Sequence, residues 1–242
     1  MNIEINKLKK SYNSSWTLFI DKLNISTGEI VGIIGNNGAG KTTFIHLILD
    51  LIKRDCGIIE YRNKINILES EWKKYVGSYL GFNSLIDFLT PMEYFYFIAY
   101  IYGIDIESVL SNLSHYNAFL NNLSLFDKKY ISEYSTGNKQ KIGIVSALLV
   151  NPQLLILDEP FNFLDPISQV ELNKIIKNIN TELNTTIIIS SHNIEQIASI
   201  SSRIILLDNG HMINDFKDNK KYSVSELYDC FKIIHKNNSN NK

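Results

Sequence analysis

Residues 35–43 read GNNGAGKTT and fit the pattern GxxxxGK[ST], which requires a strand before it and a helix after it. The run 29–35 (EIVGIIG) is short, apolar and ends in glycine, as is typical of a strand buried on both faces. The following stretch, 42–52, is predicted to be a helix. Backbone N–H groups of such a loop point inward at the helix N-terminus and bind phosphate. A glycine-rich turn with a solvated lysine is the alternative, and the strand–loop–helix context argues against it.

Each residue type in this loop suits phosphate chemistry. Glycines at 35, 38 and 40 leave room for the phosphate, while Lys41 is a point charge for the β- and γ-phosphates. The hydroxyl of Thr42 is expected to ligate Mg²⁺, and Thr43 to support the loop. The predicted nucleotide-binding residues here are Gly35, Asn36, Asn37, Gly38, Ala39, Gly40, Lys41, Thr42 and Thr43.

A second acidic element follows at 154–160, which reads LLILDEP: a buried strand ending in two carboxylates. Successive strand residues point in different directions, so the two acids can do different work. Asp158 is expected to hold Mg²⁺, and Glu159 to polarise an attacking water. Without the loop at 35–43, the pair would be interpreted as an ordinary acidic strand end that caps the next helix.

The remaining pattern predicts an α/β fold with parallel strand order. The first 25 residues alternate as half-buried antiparallel strands, 186–189 (TIII) is another buried strand, and Asn209-Gly210 predicts a hairpin turn. After a poorly patterned stretch, 63–83, the chain is mostly helical over 84–150. Asp165 and Pro166 start a helix whose predicted apolar face is Val170, Leu172, Ile175, Ile176, Ile179 and Leu183.

Composition bounds the classes of function. The chain has 242 residues, 45% of them hydrophobic and 20% charged, with a net charge of -1, so neither wholesale disorder nor a strongly basic nucleic-acid surface is expected. The two cysteines suggest neither a disulfide framework nor a zinc site. The most apolar window, 94–102, is about half the ~20 residues of a membrane-spanning helix, and no signal peptide is evident. If the protein serves a membrane, we expect another chain to cross it.

Together, the motifs resemble those of the ATP-binding cassette of ABC transporters over nearly the whole length. The sequence YSTGNKQK at 134–141 stands where that family has its signature LSGGQxQR. Phe163-Leu164-Asp165 matches the D-loop, 190–192 (SSH) matches the switch histidine, and Tyr12 matches the adenine-stacking aromatic. The resemblance implies a P-loop NTPase (RecA-like) core with an N-terminal antiparallel β subdomain and an inserted helical subdomain.

The resemblance also implies roles for single residues. Two cassettes would bind two ATP molecules between them, arranged head to tail. Ser135 and the Gly137 amide, at the start of a helix that begins near Asn138, would then bind the γ-phosphate of the ATP held by the facing chain. His192 would orient the water for Glu159. Taken alone, the serine turn would be a helix cap and the histidine a structural residue.

The resemblance implies roles for two further residues, Asp165 and Tyr12. Asp165 would belong to the D-loop at this site. Tyr12 would stack on adenine, with core packing as its alternative function and Trp16 as the nearby substitute.

Two departures from the family pattern are visible. Thr136 replaces a signature glycine and Asn138 replaces its glutamine, as occurs in cassettes of the bacterial ABC-2 exporter type. The family's Q-loop glutamine is also missing, since alignment on the Leu89-Thr90 pair places Gly81 there, with Asn83 as the nearest amide. The aromatic run 91–103 resembles the first subdomain helix of exporter cassettes.

The sequence therefore predicts an ATPase subunit of a bacterial ABC transporter, an exporter, that uses ATP and Mg²⁺. Its expected partners are a transmembrane permease and a second cassette, without nucleic acid, at the cytoplasmic face of the membrane. The predicted division is a core of 1–83 and 151–234, a helical subdomain of 84–150 and a flexible tail of 235–242. The alternatives are a soluble ABC ATPase of translation or DNA repair, and an unrelated P-loop GTPase, which the absence of NKxD after the loop disfavours.

Overall fold

The computed structural model describes residues 1–12, 16–62, 71–121, 123–218 and 221–230. Contacts divide the chain into two units, the first made of Met1–Asn66 and Ile188–Lys242 and the second of Ile67–Ile187. The predicted helical subdomain, 84–150, is shorter than this second unit, and the predicted division stays a prediction. The predicted tail at 235–242 lies outside the described residues.

The helices and strands alternate along the chain as expected for an α/β protein. In chain order they are β1 (Asn2–Tyr12), β2 (Trp16–Ile25), β3 (Ile30–Ile34), α1 (Lys41–Ile48), β4 (Cys56–Arg62), β5 (Val76–Tyr79), α2 (Pro91–Tyr102), α3 (Ile106–Ser114), α4 (Thr136–Leu148), β6 (Leu154–Leu157), α5 (Pro166–Leu183), β7 (Thr186–Ser191), α6 (Ile194–Ile200), β8 (Arg203–Asp208) and β9 (His211–Phe216). No helix within the described ranges is long and apolar enough to cross a bilayer.

The sheet of the first unit joins antiparallel and parallel pairs. Strand β1 pairs antiparallel with β2 and β4, whereas β3 pairs in parallel with β8. The strands follow the order β4-β1-β2-β9-β8-β3. Alternating isoleucines and leucines of β1 and β2, such as Ile3, Ile5 and Leu18, are buried, which confirms the half-buried antiparallel pattern.

The predicted hairpin at Asn209-Gly210 is confirmed, because β8 and β9 pair antiparallel on either side of it. Both turn residues have positive φ, 45° at Asn209 and 80° at Gly210, as a tight two-residue hairpin turn requires. A side chain at residue 210 would also collide with the backbone, since its Cβ would lie 2.1 Å from the Thr17 carbonyl oxygen. The turn therefore needs glycine for two independent reasons.

In the second unit, β5 and β6 pair in parallel from Val76 opposite Leu154 to Tyr79 opposite Leu157. Helix α2 begins with a capping box in which Thr90 and Glu93 satisfy each other's backbone N–H groups, and it ends at Gly103 with φ 68°. This confirms the aromatic helix predicted at 91–103.

The bounds of several elements differ from prediction. Helix α1 ends at Ile48 rather than 52, and Asp50 has a left-handed φ of 54° that does not continue a helix. Strand β5 lies in the stretch interpreted as poorly patterned, because its sequence VGSY has no apolar alternation and forms a strand only by pairing with β6. In α5, Val170 and Leu183 were assigned to the apolar face but are 53% and 51% exposed.

A buried arginine joins three segments of the first unit. The guanidinium of Arg203 donates two hydrogen bonds of 2.7 Å to Asp215 on β9, one of 3.1 Å to Glu29 and one of 2.6 Å to the Asn24 carbonyl. Burial disfavours its charged form, but the hydrogen bonds and charges of Asp215 and Glu29 outweigh burial and raise the pKa of Arg203. This cluster fixes β8, which pairs with β3, the strand before the glycine-rich loop.

We expect Arg203→Met to lower the free energy of unfolding by about 3 kcal/mol, because it leaves the Asp215 and Glu29 carboxylates without their partner. Urea denaturation measures the change. The control is Lys174→Met, which breaks an exposed pair with Glu171 and should cost less than about 0.5 kcal/mol. A loss no larger in Arg203→Met than in the control would contradict the assignment.

Candidate nucleotide-binding site

The glycine-rich loop runs from the end of β3 to the first residue of α1. Its lysine, Lys41, is 6% exposed and turns back into the loop, where its ammonium donates hydrogen bonds to the carbonyl oxygens of Gly35 at 2.7 Å and Asn36 at 3.3 Å. Gly40 precedes the helix with φ 106°. A cation therefore lies at the N-terminus of α1, where the helix dipole also favours an anion.

Neighbouring backbone fixes the position of this loop. A Cβ on Gly35 would lie 2.5 Å from the Leu207 carbonyl oxygen, so only glycine fits. At the other side, the Gly210 N–H donates to the Ala39 carbonyl oxygen at 2.9 Å. The β8–β9 hairpin thus supports the loop in the first unit.

Two aromatic residues lie at the paired ends of β1 and β2. Tyr12 is opposite Trp16 in the register, and their ring centroids are 6.0 Å apart. Trp16 is beside the loop, because a Cβ on Gly40 would lie 3.1 Å from its ring, whereas Tyr12 is 44% exposed with the Lys10 ammonium 5.4 Å from its ring. The indole of Trp16, which was considered only as a substitute for Tyr12, therefore contacts the loop.

His192 is exposed and follows the last residue of β7. The Ser191 hydroxyl accepts a hydrogen bond from the Asn193 N–H at 3.0 Å, and Asn193 in turn caps α6. These hydrogen bonds therefore restrain the backbone that carries the histidine.

The acidic pair lies at the end of β6 in the second unit. Asp158 and Glu159 are half-buried, the Asp158 N–H donates to the Tyr79 carbonyl oxygen at 2.9 Å, and Glu159 has a left-handed φ of 49°. The Tyr79 hydroxyl is buried, with no hydrogen-bond partner among the described residues. Burial and the charge of Asp158 raise the pKa of Tyr79 well above its usual range. The sequence assigned this tyrosine no role.

The predicted signature lies at the start of α4. Ser135 is its N-cap, and the hydroxyl accepts from the Asn138 N–H at 3.4 Å. The helix begins at Thr136, so the predicted start near Asn138 was two residues late. Gly137 has little room, since its Cβ would lie 2.6 Å from the Phe163 carbonyl oxygen.

Asp165 of the predicted D-loop contacts the helix that carries the predicted signature. Asp165 caps α5 by accepting from the Ser168 N–H at 2.9 Å and the Ser168 hydroxyl, and the Lys141 ammonium lies 3.8 Å from its carboxylate. The Ser168 hydrogen bonds and the charge of Lys141 lower the pKa of Asp165. Lys141 lies inside the predicted signature, but its pairing with Asp165 was not predicted, since the spacing does not indicate which residue it meets.

The position matched to the Q-loop carries no side chain. Gly81 has φ 97° and ψ 160°, a conformation favoured by glycine alone, and a Cβ there would meet nothing within 4 Å. Asn83 is exposed in the short 3₁₀ turn that follows.

The predicted site residues fall into two sets. The loop at 35–43, Tyr12 and His192 belong to the first unit. The other set, Asp158, Glu159, Ser135, Gly137 and Asp165, belongs to the second.

An α/β fold with a glycine-rich loop between a buried strand and a helix defines a P-loop nucleotide-binding protein. The ABC transporter family model matches residues 20–162 of the chain. The bacitracin transport ATP-binding protein BcrA of Bacillus licheniformis is 34% identical over 96% of this chain and 77% of that protein. The lantibiotic transport ATP-binding protein SrtF of Streptococcus pyogenes is 30% identical over 93% and 95%.

Solved structures agree in fold. An ATP-binding subunit of an ABC transporter matches with a TM-score of 0.76 and 26% identity, over 89% of both chains. A cassette solved as a dimer with ADP and Pi matches with a TM-score of 0.75 and 24% identity, over 88% of this chain and 97% of that one. The chain therefore belongs to the ABC transporter family, as one of its ATP-hydrolysing, ATP-binding subunits.

We expect ATP binding to change the fluorescence of Trp16, because its indole contacts the loop that is predicted to bind the phosphates. The chain has two tryptophans, and Trp72 belongs to the other unit, so Trp72→Phe is the matched control. A titration should retain most of the signal in Trp72→Phe and lose it in Trp16→Phe. The reverse result would show that the nucleotide does not bind beside Trp16.

Proposed function

We propose that this chain hydrolyses ATP to drive export of an antibiotic peptide. The observation that carries the proposal is the near full-length similarity to proteins named for bacitracin and lantibiotic transport. Their names describe transport of bacitracin and of a lantibiotic, and we transfer the class of these antibiotics to this chain on that similarity.

The first unit would bind the nucleotide. The Lys41 ammonium would exchange its contacts with the Gly35 and Asn36 carbonyls for the β- and γ-phosphates, while the backbone N–H groups of 35–43 surround the anion. Trp16 or Tyr12 would stack on adenine, since both rings lie at the end of the strand pair beside the loop.

The donor set suits magnesium. Thr42 offers an exposed hydroxyl in the first turn of α1 and Asp158 a carboxylate at the end of β6, and Mg²⁺ prefers a few such oxygen ligands together with phosphate oxygens. When bound, the ion would neutralise charge on the phosphates. Glu159 would accept the proton of the attacking water, and His192 would hydrogen-bond the γ-phosphate and orient that water.

A second cassette would complete the site. Ser135, Gly137 and the D-loop residue Asp165 would act on the nucleotide of the facing copy. In the free chain the Ser135 hydroxyl caps its own helix, so it would have to add a phosphate contact to this cap.

A separate permease would dock on the second unit from the cytoplasmic face of the membrane. Helix α2 presents Phe97, Tyr100 and Ile101 to solvent, at 41%, 84% and 57% exposure. Beside this helix, a cleft of ≈ 230 Å³ lies between Tyr94 and Tyr102 of α2 and Ser146 of α4. An apolar face next to a cleft is the type of surface that receives a partner helix.

Glu159→Gln should bind ATP normally but lose at least 100-fold in hydrolysis rate, because an amide cannot accept the proton of the water. Gel filtration with ATP and Mg²⁺ should then show an accumulated dimer. Glu182→Gln, an exposed change at the end of α5, is the control and should hydrolyse ATP at the normal rate. A normal rate in Glu159→Gln would remove this residue from the role of base.

Lys41→Ala should weaken ATP binding at least tenfold, since the loop loses its ammonium. Calorimetric titration measures the affinity, and Lys53→Ala, another lysine of the first unit, provides the control. Normal affinity in Lys41→Ala would contradict binding at this loop.

A further inference from the structure

Residues 159–165, which lie between β6 and α5, form a strained segment. Two residues other than glycine have left-handed φ, 49° at Glu159 and 60° at Phe163, a conformation that L-residues other than glycine adopt rarely. This segment carries the proposed base at one end and the D-loop aspartate Asp165 at the other. Surrounding groups must hold it in place for either residue to be positioned.

Side chains of two helices hold its backbone. Gln140 of α4 donates a hydrogen bond to the Pro160 carbonyl oxygen. Gln169 of α5 donates to the carbonyl oxygen of Leu164 at 3.0 Å and to that of Phe161 at 3.4 Å. These bonds leave the side chain of Phe163, at the second strained position, to be held by other contacts.

Phe163 is 66% exposed, and its ring packs edge-on against Phe82, with centroids 5.9 Å apart and an interplanar angle of 80°. This is a favoured arrangement for two aromatic rings. An exposed ring on a left-handed residue would otherwise have few contacts to fix it. Phe82 therefore restrains the middle of the segment.

Phe82 directly follows Gly81, and the turn that carries both is well fixed. The Ser84 N–H and hydroxyl both donate to the Gly81 carbonyl oxygen, at 3.2 Å and 2.6 Å. Since residue 81 has no side chain, Phe82 is the first group of this turn that can reach the 159–165 segment.

We propose that Phe82 is a positioning residue for ATP hydrolysis: its contact with Phe163 holds the 159–165 segment, and with it Glu159, in the geometry that hydrolysis requires. The inference rests on the proposed function. A movement of the turn at 81–84 would then change the position of Glu159 through the contact between the two rings. In the family that the sequence resembles, a glutamine side chain is expected in this turn instead.

The first test compares steady-state ATP hydrolysis by the full chain and its variants. Phe82→Ala and Phe163→Gly should each lower kcat about tenfold and leave KM for ATP within twofold, and the double variant should be no slower than the singles. Phe163→Gly is informative because glycine favours the left-handed backbone, so a loss there reports the ring. Phe82→Tyr keeps the ring and should restore kcat, and Phe126→Ala, an aromatic 78% exposed in the same unit, should behave as wild type.

The second test does not depend on activity. Hydrogen exchange of the nucleotide-free chain should become at least tenfold faster over 159–165 in Phe82→Ala, with α2 unchanged as the internal reference. Normal kcat in both single variants, losses that multiply in the double variant, or unchanged exchange would overturn the proposal. A wild-type chain that does not hydrolyse ATP would instead refute the proposed function, and hydrogen exchange would still decide the role of Phe82.

Discussion

The candidate site depends on the interaction between the Lys41 ammonium and the loop that encloses it. The ammonium donates hydrogen bonds to the carbonyl oxygens of Gly35 and Asn36. These bonds hold a buried cation inside the loop, and a cation attracts an anion more strongly where water is excluded. The N-terminus of α1 adds to the same attraction. A cation and a helix N-terminus are therefore in place for the phosphate that the sequence predicts at this loop.

Strand β8 and its hairpin give this loop its rigidity. Leu207 of β8 leaves no space for a side chain at Gly35, and the turn residue Gly210 bonds to Ala39. The same strand begins with Arg203, whose ion pairs cross from β8 to β9 and to Glu29. Breaking a buried ion pair commonly costs about 3–5 kcal/mol. Part of the stability of the first unit is therefore located in the strand that shapes the glycine-rich loop.

Much of the core and the loop was predictable, because both depend on local sequence. Strand β6, Leu154–Leu157, has the predicted bounds since a four-residue apolar run allows little else, and the hairpin turn follows from the dihedral preferences of Asn209-Gly210. Strand β5 was missed because its glycine and serine carry no strand signal. It exists because β6 offers a partner with a matching register.

The contacts around the acidic pair could not be predicted for a related reason. Spacing located Asp158, Glu159 and Asp165, but it says nothing about which distant residue meets them, and the Lys141–Asp165 pair joins positions 24 residues apart. Such contacts matter most where the backbone is strained. A left-handed residue other than glycine costs about 1 kcal/mol or more, so the conformation at Glu159 and Phe163 persists only because neighbouring side chains stabilise it. The sequence reveals the chemistry of the acidic pair, whereas the packing of α4, α5 and the turn at Gly81 determines its geometry.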